Sequence, residues 1–203
     1  MLFYISLVAL LTFLQVTPIA ADRPTVYIIR HGEKPSDPED SGLNADGFKR
    51  AECLRDVFGI HSPYNIGYII APRPNRYGDH RRSFETVLPL AIDLGLPVDL
   101  SCKRNQVRCV AGLVRDFDGP GNILISWRHG RIQEIVEELG ADDAPEYPDE
   151  RGVMLGSQLQ RRSQDMDSFD LIWTAPFPYE EITDIRSEGC PGLDTEVLLT
   201  VQG

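Results

Sequence analysis

The chain of 203 residues carries 31 acidic and 20 basic side chains, a net charge of −11 at neutral pH. With 42% hydrophobic and 25% charged residues it has the material for one globular core, and the composition is not that of a disordered chain. The acidic balance argues against nucleic acid as a main partner, since a phosphate backbone needs a basic face; a small anion in a local basic pocket is compatible with it.

In chain order, the first segment is MLFYISLVALLTFLQVTPIAA, which holds no charged side chain. It fits a secretory signal (residues 1–21) cleaved after Ala21, which leaves residues 22–203 as one exported domain with no stable membrane association. An uncleaved anchor is the other reading, because no Lys or Arg precedes the apolar run and its length approaches a bilayer span. TVYII, Thr25 to Ile29, is short, β-branched and apolar, as a buried strand is. It runs into Arg30-His31-Gly32-Glu33. From Asn44, a good helix cap, to Gly59, the spacing of Phe48, Ala51, Leu54 and Phe58 predicts an amphipathic helix. IGYIIA, Ile66 to Ala71, is a second strand. The loop after it holds Arg73, Arg76, His80 and Arg81, either a solvated stretch or an anion-recruiting one.

Arg82 to Gly95 reads as a helix with a kink or restart at Pro89. NILISW, Asn122 to Trp127, is a third strand, followed by a second Arg-His-Gly, Arg128 to Gly130. Arg131 to Gly140 is an amphipathic helix closed by glycine. Gly152 to Asp167 breaks the rhythm: it is polar, basic and rich in Gln and Arg, either an exposed loop or, on the continuity of its flanks, a translated short intron. Strands at Phe169 to Thr174 and Glu196 to Val201 complete the pattern. Strands alternating with helices predict an α/β sheet covered on both faces, with the ligand site beyond the carboxyl ends of the strands. Both Arg-His-Gly copies fall there.

The four cysteines, Cys53, Cys102, Cys109 and Cys190, suit an exported chain with two disulfides. Cys102 and Cys109 flank a polar hexapeptide and predict a local bridge, which leaves Cys53 for Cys190; four free thiols are the alternative. The spacing is not that of a metal site. No Asn-x-Ser/Thr sequon is present.

The chemistry of IIRHGE follows from its residue types. Arginine suits bidentate contact with phosphate. A neutral histidine beside it is a nucleophile toward phosphorus, and neighbouring cations lower its pKa toward that neutral form. VYIIRHGEKP, together with RSFET (Arg82 to Thr86), GLNADGFKRAECL and the late ILISWRHG, resembles the histidine phosphatase superfamily, the phosphoglycerate mutase-like proteins. The likeness is strongest with a branch of small secreted fungal-type members. It implies a three-layer α/β sandwich with a mostly parallel central sheet. It also implies hydrolysis of a small phosphorylated substrate, a phosphate monoester, through phosphohistidine. His31 then accepts the phosphoryl group, Arg30 and Arg82 bind its oxygens, and His129 donates to it. No cofactor or metal is needed. Arg128 has no inherited role and, by strand alternation, points away from the pocket. The general acid has no firm match; Glu33 and Asp116, with Asp118 beside it, are the candidates. A catalytically degenerate member that only binds an anion is the alternative function.

Overall fold

A computed structural model describes residues 23–145, 147 and 169–194. The expected signal segment, the Gly152 to Asp167 stretch and the strand at Glu196 to Val201 lie outside them. The described chain forms six strands and four helices. They run β1 (Val26–Arg30), α1 (Ala45–Val57), β2 (Ile66–Ile70), α2 (Arg82–Leu94), β3 (Val98–Asp99) and α3 (Val107–Asp116). Then come β4 (Asn122–Trp127), a 3-10 turn (His129–Arg131), α4 (Ile132–Leu139), β5 (Leu171–Ala175) and β6 (Asp184–Ser187).

The strands make one mixed sheet in the order β3-β2-β4-β1-β5-β6. β3, β2, β4 and β1 pair in parallel through helical crossovers. β5 pairs antiparallel with both β1 and β6. Only residues 176–183 join β5 to β6, too few for a crossover helix, so this edge turns back on itself.

Adjacent strand residues point to opposite faces, and the two faces have separate cores. Ile29, Ile69, Leu124 and Ile172 pack with Leu54 and Phe58 of the α1 segment and with Val87 and Leu90 of α2. Their neighbours Ile28, Ile70, Ile123, Ile125 and Trp173 pack with Val110 and Val114 of α3 and with Ile132 and Ile135 of α4. The α/β expectation, with helices against both sets of strand residues, is met. The sheet is mixed.

Four features depart from the sequence reading. Asn44 caps α1 as expected, its side chain accepting from the Gly47 N–H at 2.8 Å, but Phe48 is half exposed. The buried face is instead Gly47, Arg50, Ala51 and Leu54. α2 runs through Pro89 as one helix, with no restart. α3 was not anticipated, although Val107, Val110, Ala111 and Val114 carry a helical spacing. The short strands β3 and β6 add to both edges.

Arg50 explains the rotation of α1. Its guanidinium is almost wholly buried and meets three carboxylates: Glu33 at 2.7 Å, Glu188 at 2.6 Å and Asp194 at 2.9 Å. The neighbouring Cys53–Cys190 bridge joins the same helix to the same carboxyl-terminal loop. The second bridge is the local one, Cys102–Cys109. Among the described residues no helix is long and apolar enough to cross a membrane.

Candidate active site

β1 and β4 are parallel neighbours with Arg30 opposite Trp127, and the His31 N–H donates to the Trp127 carbonyl at 2.9 Å. The two Arg-His-Gly segments therefore leave the sheet side by side at its carboxyl edge. They line one cleft of about 220 Å³ with Lys34, His80, Arg82, Ser83 and Arg104. Arg30, His31, Arg82 and His129, the four residues expected to meet, share that cleft.

Arg30 is fully buried, its guanidinium 4.1 Å from the Phe169 ring centre. This stacking holds a cation against an apolar face. His31 is also buried, and its Nδ1 lies 2.8 Å from the Gly32 carbonyl oxygen. A carbonyl only accepts, so Nδ1 carries the proton and the Nε2 lone pair is the one available to attack. Burial pushes the His31 pKa down to about 3; the Gly32 hydrogen bond opposes this, and Arg30, Arg82 and His129 add to it. The imidazole is thus neutral from pH 7 down to about pH 4. In ¹⁵N NMR spectra the His31 ring is expected to show one protonated and one unprotonated nitrogen from pH 7 to pH 4. A titration centred near 6.5 would contradict the burial argument.

The histidine loop is held from two sides. The Gly32 N–H donates to Thr86 Oγ1 at 2.8 Å, and Thr86 donates in turn to the Arg82 carbonyl at 2.8 Å. In the Arg82-to-Thr86 motif the threonine therefore positions the loop, a role the sequence reading did not separate from the arginine's. From the other side, α1 backs onto the loop at Gly47, where a Cβ would lie 2.5 Å from the Glu33 carbonyl oxygen. Only glycine permits that approach. Arg82 is half buried; its Nε donates to the Gly42 carbonyl at 2.9 Å and Nη2 to that of Asp40. These two bonds fix the guanidinium plane at the mouth of the cleft.

Several expectations need correction. Glu33 does not face the cleft as an acid, because both its oxygens accept from Arg50. Asp116 ends α3 and, like Asp118, is exposed ahead of the amino end of β4, the opposite edge of the sheet. Among the described lining residues none is a carboxylic acid. Arg128 does line the cleft. Strand pairing ends at Trp127; Arg128 is still extended (φ −82°, ψ 139°), and the 3-10 turn that begins at His129 ends the alternation between the two residues. His80 lines the cleft too, while His61 is exposed. Arg81 instead pairs with Glu85 and Asp40, and Arg73 donates to the Leu100 and Ser101 carbonyls.

Lys34 and Arg104 were missed. Arg104 had a readable signal: it sits in the basic hexapeptide that the Cys102–Cys109 bridge turns into a tight loop. Cations thus concentrate at one edge of an acidic molecule, where low-dielectric walls focus their field on an anion. A larger, open cavity of about 510 Å³ near Asn122 and Phe177 offers one arginine, Arg23, and no histidine.

No family model and no curated protein matches the sequence. Among solved structures, the fold is similar to that of a SixA protein from Agrobacterium tumefaciens. The two are 14% identical over 81% of this chain and 98% of that one, with a TM-score of 0.51. It is also similar to the protein histidine phosphatase SixA complexed with tungstate, at 15% identity over 81% and 97%, with a TM-score of 0.52. At these identities the likeness is one of fold.

Proposed function

We propose that this chain is a phosphatase that hydrolyses phosphate monoesters through a phosphohistidine on His31. The observation that carries this reading is the neutral, tautomer-fixed imidazole of His31 in a cleft walled by Arg30, Arg82 and His129. The similar fold of a histidine phosphatase complexed with tungstate, an oxyanion, supports it.

His31 Nε2 attacks phosphorus in line with the leaving oxygen; the P–N bond forms as the P–O bond breaks. Arg30, Arg82 and His129 stabilise the charge on the three equatorial oxygens. Water then attacks the phosphohistidine, releasing phosphate and restoring neutral His31. These groups supply the charge stabilisation that a metal gives elsewhere, so turnover is expected to persist in EDTA. The three-layer arrangement of that superfamily and export to an oxidising compartment belong to the same proposal. The two disulfides support export.

The leaving oxygen needs a proton, and no carboxylic acid lines the described cleft. Substrates with stable leaving groups are therefore favoured. Across aryl phosphates whose phenols become more acidic, kcat/KM is expected to rise steeply. A flat series would mean that a general acid protonates the leaving group. Absence of turnover with retained phosphate binding would favour an anion-binding protein instead.

A further inference from the structure

We propose that the cleft has a second anion subsite, formed by Arg104, Arg128 and His80, and that the substrate is a small molecule bearing two phosphate groups. The inference rests on the phosphatase reading and adds a substrate class to it. A transferring phosphoryl group presents three equatorial oxygens. Arg30, Arg82 and His129 suffice for them, with His31 in line. Two further guanidinium groups in the same cleft then have no oxygen of that group to bind.

Both arginines differ from the ion-paired ones on the surface; Arg23, Arg73, Arg76 and Arg115 also lack a carboxylate, but they bond backbone carbonyls or a tyrosine hydroxyl. Arg55, Arg81, Arg108, Arg131 and Arg186 each pair with a carboxylate. Among the described residues neither Arg104 nor Arg128 has one. Arg104 Nη1 instead lies 3.0 Å from His80 Nδ1 and 3.1 Å from its Nε2, and the buried Arg104 Nε has no hydrogen-bond partner there. An arginine only donates, so His80 must offer it an unprotonated ring nitrogen, as a neutral imidazole does. Burial, with Arg104, Arg128 and Arg82 nearby, holds the His80 pKa below its ordinary value, in keeping with that neutral form. Like charges converging in one cleft repel until an anion enters.

The cluster is also built rather than incidental. The Arg104 carbonyl accepts from Trp127 Nε1 at 3.0 Å, which ties its loop to the end of β4, next to Arg128. The Cys102–Cys109 bridge closes that loop, and Arg73 holds the carbonyls of Leu100 and Ser101 ahead of it. His80 reaches its place with φ +67°, a left-handed conformation unusual for a side-chain-bearing residue. Such outliers gather where a side chain's direction matters to function.

The test is calorimetric binding of orthophosphate and of methylene- and propylene-bisphosphonate, which the enzyme cannot hydrolyse. The intact protein is expected to bind at least one bisphosphonate about tenfold or more tightly than orthophosphate, the worth of one added charge-assisted contact. Arg104→Gln and Arg128→Gln should each remove about that factor for the bisphosphonate, with less than about threefold change for orthophosphate. Arg108→Gln, which removes an exposed charge from the adjoining helix, should alter neither. Equal affinity for all three anions in the intact protein would overturn the proposal. So would equal losses for both anion types in the variants, which would put these arginines in the phosphoryl subsite. Bisphosphonate preference without turnover of any aryl phosphate would uphold the subsite and remove the catalytic reading.

Discussion

His31→Ala is expected to lower phosphate release from p-nitrophenyl phosphate by on the order of 10⁴-fold or more, as loss of a nucleophile does when nothing replaces it. The ring supplies the only atom in the proposed scheme that bonds to phosphorus before water does. Its Nδ1–H is committed to the Gly32 carbonyl, and its loop is pinned through Thr86, so no small movement brings another nitrogen into line. His129 sits on a different segment, the 3-10 turn that follows β4, and lines the same cleft. The comparison is of initial rates at pH 5 and pH 7, with near-ultraviolet circular dichroism to establish that the variant is folded. Acid-labile ³²P should appear on the parent protein and be absent from the variant. Comparable rates in the two proteins would remove His31 from the chemistry.

The second large effect concerns stability. Arg50→Met is expected to destabilise the fold by about 3–5 kcal/mol, the range for removing one partner of a buried ionic cluster. It leaves Glu33, Glu188 and Asp194 without the cation that joins them. Three carboxylates around one guanidinium cannot all stay ionised cheaply. Burial accordingly pushes the Glu188 pKa up to about 8, with Arg50 working against the rise and Asp194 adding to it.

This fixes the sign of the pH dependence. Between the ordinary carboxylate value and pH 8 the folded protein holds a proton on Glu188 that the unfolded chain has released. Stability from this group is therefore full at acid pH and falls as pH rises through that window. Losing Arg50 raises the Glu188 pKa further, so the deficit should be larger at pH 9 than at pH 7, the range in which the folded parent releases this proton and the variant keeps it. Urea unfolding midpoints with the disulfides intact give both numbers. A deficit independent of pH would place the proton elsewhere, and Glu188→Gln in the parent should flatten the slope.

The site was legible because its carriers are local. Short β-branched runs mark β1 and β4, and parallel pairing brings the Arg-His-Gly at the end of each run to one edge. The same reasoning, taken one step further, excludes Asp116: a residue just ahead of β4 belongs to the opposite edge. α1 was misjudged because its inward face is decided by residues 138 and 144 positions away, Glu188 and Asp194, which turn Arg50 in and Phe48 out. No local periodicity carries that information. Arg104 was missed for a related reason: its place depends on a crosslink and on an indole from another strand. Arg128 was misplaced because alternation was extended one residue past the point where the strand ends.

The Cys53–Cys190 bridge, its ends 137 positions apart, makes most of this molecule a covalent ring. A single protease cut between those cysteines outside the 102–109 loop, residues 152–167 included, produces two polypeptides that remain one molecule. β1 and His31 lie outside the ring, yet wherever the cut falls Cys53 keeps their fragment joined to the carboxyl-terminal piece. A nicked form would migrate as intact protein until reductant separates it.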